Sequence, residues 1–439
     1  MKPLVAIVGK PNVGKSTFFN KVAGSRISIV LNSPGVTRDR IYADASWLGR
    51  EFTMVDTGGI RLKSDDQMHR HIVKQAELAM ELADVILFIV DGKEGLTSDD
   101  YDVAQILRKT SKPTILAVNK IDDFSNLDLS DFYSLGMGEP VPISAEQKKG
   151  LGDVLDEVIG YFPDVEEEPD ESEKIKIAVV GKPNVGKSSL VNNLLGYDRT
   201  IVSDMAGTTR DAIDTDVTID GRSYTLIDTA GVRRKRSIKD DVEQYSVMRS
   251  LAAIRRADVC FLLLDASEEI SEQDVRLAGY AHEEGKPSVI VLNKWDLIEK
   301  DTNTVNEYQK KLSADLAFMD YFVSVTVSAL TGQRVKKLWE LADMVYEKTS
   351  FRATTGLLNE ILADAVSAVE PPSLNGKRLK IRYCTQPATK PPTFVLFVND
   401  PKIMHHAYRR YIMNYLRKAF DLRGTPIKLI VKSGEEKED

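Results

Sequence analysis

The chain has 439 residues, 42% of them apolar, a formal net charge of −7 and only two cysteines. That length suggests about three domains, each large enough to bury its own core. Two isolated cysteines exclude a disulfide-stapled framework, and no apolar run reaches the roughly 20 residues of a membrane span.

The first element is a short apolar strand, LVAIV at Leu4–Val8, which runs directly into a glycine-rich loop and so does not read as a signal peptide. The loop is GKPNVGKST: Gly9, Lys10, Pro11, Asn12, Val13, Gly14, Lys15, Ser16 and Thr17. It satisfies G-x-x-x-x-G-K-[ST], and strand, glycine loop and helix start is the context a phosphate-binding loop needs. Backbone amides and the helix N-terminus would face phosphate oxygens. Lys15 would reach the β and γ phosphates, and Ser16 would ligate Mg²⁺. Next come SPGVTRDR at Ser33–Arg40, with Thr37 as a candidate switch residue reaching Mg²⁺ and γ-phosphate together, and DTGG at Asp56–Gly59. There Asp56 would hold Mg²⁺, Thr57 would line the site, and the Gly58 or Gly59 amide would sense the γ-phosphate, Gly59 being the better match to the second copy.

Two continuous apolar runs follow, ADVILFIVDG at Ala83–Gly92 and TILAVNK ending at Lys120, and both read as buried parallel strands. The second opens NKID, with Asn119, Lys120 and Asp122, and SAE follows with Ser144 and Ala145. A carboxylate at Asp122 can accept two hydrogen bonds from guanine, at its ring N–H and its amine. Adenine lacks that amine and would leave an oxygen unpaired, at about 1–3 kcal/mol. The motif set therefore predicts GTP and GDP as ligands.

PDVEEEPDESEK (Pro163–Lys174) carries two prolines and seven acidic residues, and reads as an exposed linker. After it the whole set returns. GKPNVGKSS supplies Gly181, Lys182, Pro183, Asn184, Val185, Gly186, Lys187, Ser188 and Ser189, offset by 172 positions from the first loop. MAGTTRDA supplies Thr209, and DTAG supplies Asp228, Thr229, Ala230 and Gly231. ADVCFLLLDA is the buried strand, with Cys260 inside it as a packed thiol, as Cys384 is expected to be in the tail. NKWD supplies Asn293, Lys294 and Asp296, and SAL supplies Ser328 and Ala329. The offset grows to 174 at Asn293 and 184 at Ser328, so loops lengthened while elements stayed. Mg²⁺ candidates are thus Ser16, Thr37 and Asp56 in one copy, and Ser188, Thr209 and Asp228 in the other. Each copy predicts an α/β fold, a mostly parallel sheet with helices on both faces. The expected domains are 1–162, a linker at 163–174, 175–350, and a tail at 351–439.

One residue is missing from both copies. A water-orienting glutamine would follow the DxxG glycine, but Ile60 and Val232 stand there. An apolar side chain cannot orient water, so slow turnover or another device is expected. Asn12 and Asn184, within the phosphate loops, are the candidates for that device. The catalytic candidates are therefore Lys15, Thr37 and Asn12, and Lys187, Thr209 and Asn184.

From Phe351 the balance changes to 15 Lys/Arg against 9 Asp/Glu. The tail reads helix (Arg352–Val369), strand (Lys377–Thr385), strand (Thr393–Val398), helix (Ile403–Phe420) and strand (Ile427–Lys432), a small α+β domain. In the second helix Tyr408, Tyr411, Ile412, Tyr415, Leu416 and Ala419 share a face that reads as core. Arg409, Arg410, Arg417 and Lys418 lie largely elsewhere and are open either to phosphate contact or to solvent. Arg233, Arg234, Lys235 and Arg236, just after DTAG, read as a contact for RNA or an adjacent domain, with a plain solvated face as the alternative.

Two motif sets, an acidic linker and a basic α+β tail resemble the tandem-GTPase family called Der or EngA, over essentially the whole chain. The resemblance implies a cytoplasmic GTPase acting in maturation of the large ribosomal subunit, with its precursors and ribosomal RNA as partners, no membrane, and a KH-like C-terminal domain; a monomer is expected. In related GTPases with G-x-P-N-x-G-K-S the loop asparagine helps hold K⁺ beside the β and γ phosphates, so the resemblance also implies potassium-stimulated hydrolysis through Asn12 and Asn184. The GxxG clamp of a KH module is absent after Phe351, which argues against base clamping there. Two other classes fit less well. A GTP-driven modification enzyme would need a second catalytic constellation, and a membrane-surface switch would need a lipidation motif.

Overall fold

A computed structural model describes residues 3–23, 42–56, 77, 83–124, 128–162, 174–196, 200–202, 214–227, 242–374 and 376–433. The chain divides into two compact units, Met1–Asp170 and Glu171–Asp439.

In the first unit the elements run β1 (Leu4–Val8), α1 (Lys15–Ala23), β2 (Tyr42–Trp47), β3 (Arg50–Asp56), β4 (Val85–Asp91), α2 (Ser98–Leu107), β5 (Thr114–Asn119), β6 (Val141–Pro142) and α3 (Leu151–Gly160). The sheet order is β2-β3-β1-β4-β5-β6. Every pairing is parallel except β2 with β3. β1 and β4 are buried along their whole length because helices cover both faces, which is why their sequences are continuous rather than alternating. β1 lies between β3 and β4, so the chain reverses direction across the sheet at its C-terminal end, where open α/β sheets bind ligands.

The second unit repeats this as β7 (Ile175–Val180), α4 (Lys187–Leu195), β8 (Thr200–Val202), β9 (Thr215–Ile219), β10 (Arg222–Ile227), α5 (Val242–Arg256), β11 (Val259–Asp265), α6 (Glu272–Glu283), β12 (Ser288–Asn293), α7 (Thr304–Asp315), β13 (Val323–Thr326) and α8 (Lys337–Thr349). Its order is β13-β12-β11-β7-β10-β9-β8, the same plan among the described residues, with β8 at the edge beside β9.

The tail folds as α9 (Thr355–Ala368), β14 (Ser373–Leu374), β15 (Lys377–Arg378), β16 (Ile381–Ala388), β17 (Thr393–Val398), α10 (His406–Ala419) and β18 (Lys428–Ser433). The two helices and two of the three expected strands agree with the sequence reading to within a few residues. The first expected strand, Lys377–Thr385, is instead a two-residue ribbon followed by β16, broken at Leu379–Lys380. Tyr408, Ile412 and Leu416 are buried in the core, with Tyr411 and Tyr415 packed against it, but Ala419 is exposed at the helix end. Cys260 and Cys384 are fully buried, and burial pushes both thiols up to about 12.

Within this unit the tail is stitched to the α/β sheet. Ser288 N donates to Gly424 O at 2.9 Å, Gly424 N to Tyr321 O at 2.7 Å, and Lys390 N to Thr349 O at 3.1 Å. Arg417 lies 4.6 Å from the Tyr321 ring centre and bonds Asp320 at 3.0 Å. His282 Nδ1 meets the Tyr321 hydroxyl at 2.6 Å.

Candidate functional site

Both phosphate loops leave the C-terminal end of the central strand and enter a helix at its lysine. The side chain of Lys15 is buried, and its Nζ donates to Gly9 O and Lys10 O, both at 2.7 Å. Lys187 does the same to Gly181 O at 2.7 Å and Lys182 O at 2.8 Å. These carbonyls hold each ammonium over the loop where a phosphate would sit. Burial lowers Lys15 to about 8, opposed only in part by Asp56. An anion there would restore the charged form.

Parallel register sets Asp56 beside Ile7 at the end of β1, and Ser16 Oγ donates to Asp56 Oδ2 at 2.6 Å. A hydroxyl and a carboxylate together are hard oxygen donors, the set that suits Mg²⁺. Asn12 and Asn184 are exposed and take the left-handed conformation, φ 66° and 63°, which asparagine tolerates better than most side chains. Among the described residues neither side chain has a hydrogen-bond partner, so each carbonyl oxygen is available to a ligand. Thr37, Thr57, Gly58 and Gly59, and Thr209, Asp228, Thr229, Ala230 and Gly231, lie outside the described residues. So do Ile60, Val232 and Arg233 to Arg236.

The base loops are braced to the phosphate loops by their asparagines. Asn119 Nδ2 donates to Val13 O at 2.7 Å, and its Oδ1 accepts Ala145 N at 2.9 Å. Asn293 joins Val185 O at 2.8 Å and Ala329 N at 2.9 Å. One buried amide thus fixes three loops in each copy. The brace also explains the second glycine of each phosphate loop. At Gly14 and Gly186, φ is 99° and 100°, and a Cβ would lie 2.2 and 2.3 Å from the asparagine Nδ2. Asn119 and Asn293 therefore tie these loops together, each through one N–H and the oxygen of its amide.

Asp122 is half-exposed, and Ser144 Oγ donates to its Oδ1 at 3.2 Å. Lys93 Nζ bonds its Oδ2 at 2.6 Å and holds the carboxyl below the usual carboxylate range. Asp296 is exposed and has no such lysine, because Ser267 occupies the matching position. Ser328 keeps its turn by accepting Thr331 N at 3.1 Å.

Sequence reading missed the loop after β4 and its copy after β11. Lys120 bonds Asp91 at 2.6 Å, and Lys294 pairs with Asp265. Lys10 pairs with Glu94 at 2.9 Å and Asp100 at 3.3 Å; Lys182 pairs with Glu268 at 2.6 Å and Asp274 at 3.7 Å. A signal was present: Asp91, Glu94, Thr97 and Asp100 recur as Asp265, Glu268, Ser271 and Asp274, all at an offset of 174.

In the tail, Arg417 is turned into the contact with Tyr321, Arg410 lies 3.8 Å from Asp320, and Arg409 donates to Leu429 O. Three of the four cations singled out in this helix are thus engaged within the unit.

Comparison with known proteins adds family and relatives. Residues 4–120 and 176–294 match the family model described as 50S ribosome-binding GTPase, and residues 352–432 match the KH-domain-like C-terminal model of EngA bacterial GTPase enzymes. The chain is 54% identical to GTPase Der of Agathobacter rectalis, over 100% of both chains. It is 53% identical to GTPase Der of Acetivibrio thermocellus, over 99% of both.

Proposed function

The chain belongs to the Der (EngA) family of tandem GTPases, and from that premise we propose a nucleotide-switched factor in maturation of the large ribosomal subunit. It binds guanine nucleotide at two sites, one in each α/β unit, and its partners are the large subunit, its precursors and ribosomal RNA. The domains run 1–162, 175–350 and 351–439, with the acidic linker at 163–174. The observation that carries this reading is the duplicated brace, in which Asn119 and Asn293 each tie a phosphate loop to a base loop. An unused second copy would not need that geometry intact.

The residues have defined work at each site. Lys15 and Lys187 leave their loop carbonyls to meet the β and γ phosphates, and the helix N-termini add further N–H donors. Asp122 and Asp296 select guanine by accepting two hydrogen bonds. Ser16 with Asp56 and Thr37, and Ser188 with Asp228 and Thr209, would hold Mg²⁺, which supplies positive charge to the phosphate oxygens as they develop charge. Asn12 and Asn184 would hold K⁺, which would supply further positive charge to the phosphates, in the role that an apolar Ile60 or Val232 cannot perform. Thr37 and Thr209 then order their loops with GTP and release them after hydrolysis.

The test is binding of Lys15→Ala and Lys187→Ala, separately, to large-subunit particles with GDP and with a non-hydrolysable GTP analogue. Nucleotide-dependent binding that either change weakens is expected. Equal affinity in both nucleotide states would remove the switch. Faster turnover in potassium than in sodium buffer is expected, and equal turnover would remove the role of the asparagines.

A further inference from the structure

Lys10 and Lys182 are the second residues of the two phosphate loops, and neither side chain points where a phosphate would sit. Each runs beneath its loop to an acidic pair on the segment leading into the next helix. Lys10 Nζ lies 2.9 Å from Glu94 Oε2 and 3.3 Å from Asp100 Oδ2, and donates to Thr97 Oγ1 at 3.3 Å. Lys182 Nζ lies 2.6 Å from Glu268 Oε2 and 3.7 Å from Asp274 Oδ2.

The aspartates are unusual carboxylates. Asp100 has no exposed side-chain surface and Asp274 has 2%. Asp100 Oδ2 caps helix α2 by accepting Thr97 N at 2.9 Å and Thr97 Oγ1 at 2.8 Å; Asp274 Oδ2 caps α6 by accepting Ser271 N at 3.0 Å and Ser271 Oγ at 2.7 Å. In both, the second oxygen, Oδ1, is buried and has no hydrogen-bond partner among the described residues. A buried charge so sparsely bonded is costly unless a cation stands near it. In each copy the cation is the loop lysine. Burial acts to lower Lys10 and Lys182, yet their carboxylate partners hold both above the usual lysine range. The backbone of the same residue holds the phosphate-binding lysine, since Lys10 O accepts from Lys15 and Lys182 O from Lys187.

We propose that Lys10 and Lys182 are positioning residues for the nucleotide phosphates: each clamps its phosphate loop to the capped start of α2 or α6 and so keeps the loop amides and the neighbouring lysine aimed at the anion. The inference rests on reading the loops as phosphate sites. Its consequence differs from that of a plain stabilising ion pair. A displaced loop weakens phosphate contacts while the base contacts, made by a separate loop, stay in place.

The experiment compares guanosine, GMP and GDP binding to the full chain carrying K10M and K182M together, with K10R/K182R as the charge-retaining control. GDP affinity should fall about tenfold with guanosine affinity within about twofold, and the arginine pair should recover most of the loss. Should the methionine pair fold poorly, E94Q/E268Q removes one arm at a half-exposed carboxylate and should give a smaller loss of the same pattern. Equal losses for guanosine and GDP, or a lower melting temperature with unchanged GDP affinity, would overturn the clamp. If the unaltered chain itself bound guanosine as tightly as GDP, the phosphate-site reading would fall instead.

Discussion

The two nucleotide sites are alike where they meet phosphate and different where they would meet the base. The lysine over its carbonyls, the asparagine brace and the buried capping aspartate repeat to within a few tenths of an ångström. At the rim, Asp122 is gripped by Lys93 and Gln147, whereas Asp296 has no such partners among the described residues, Ser267 standing where the lysine would be. The difference teaches that the buried parts of the site are fixed by packing and hydrogen bonding, which tolerate little change. The exposed rim can vary at low cost, because solvent screens what it does.

The comparison breaks most severely if the braces are unequal. Gly14→Ala and Gly186→Ala force a Cβ into the asparagine amide at a left-handed φ. Each should cut GDP affinity at its own site by about 100-fold, leaving one bound GDP per chain by calorimetry. Loss of both sites from one change would mean the copies are not independent.

A second contrast lies at His282, whose counterpart in the first unit is Arg108. Burial, helped by nearby Arg417, lowers His282 to about 4. The unfolded histidine titrates near 6.5, so between pH 6.5 and 4 the unfolded state binds a proton that the native state does not. Stability from this group is complete above pH 6.5 and falls as pH drops toward 4. Denaturant unfolding should show the second unit losing about 2 kcal/mol between pH 7.5 and 5, and His282→Gln should flatten that slope. An unchanged slope would assign the acid sensitivity elsewhere.

Lys15 sharpens the comparison at the phosphate itself. With a pKa near 8 before an anion arrives, it should gain charge on binding, so GDP binding above pH 8 should take up as much as about one proton. Calorimetry in buffers of different ionisation heat reads this uptake, and Lys15→Arg should abolish it.

The smallest effect is at the rim. On the proposed reading guanine shares or displaces Lys93 on Asp122, so Lys93→Ser should raise GDP affinity at the first site by about threefold, and Ser267→Lys should lower it at the second. Both changes should shrink in high salt. A fall with Lys93→Ser would make this lysine a contact to the nucleotide.

Much of the architecture was legible because buried parallel strands leave a plain signature. ADVILFIVDG and ADVCFLLLDA could hardly be anything else, and their ends place Asp91 and Asp265 at the ligand-binding edge of the sheet, in register with Asn119 and Asn293 of the next strand. The tail was legible as α+β, but the break at Leu379–Lys380 was not, since a two-residue ribbon has no periodicity to detect. Arg417 could not be assigned from sequence either. A cation beside an apolar helix face looks the same whether water or an aromatic ring waits opposite it, and the ring, Tyr321, is far away along the chain.

By itself, then, the sequence determined the two glycine-rich loops, the paired N-K-x-D motifs and the order of the elements, because each depends on residues close together and on local geometry. Only the tertiary structure decided that Asn119 and Asn293 brace the phosphate loops, that Lys93 grips Asp122, and that Lys10 and Lys182 turn to buried carboxylates. Those pairings join loops between 26 and 106 residues apart in the first unit. Their energies come from burial and from hydrogen bonds across that distance, which no local pattern records.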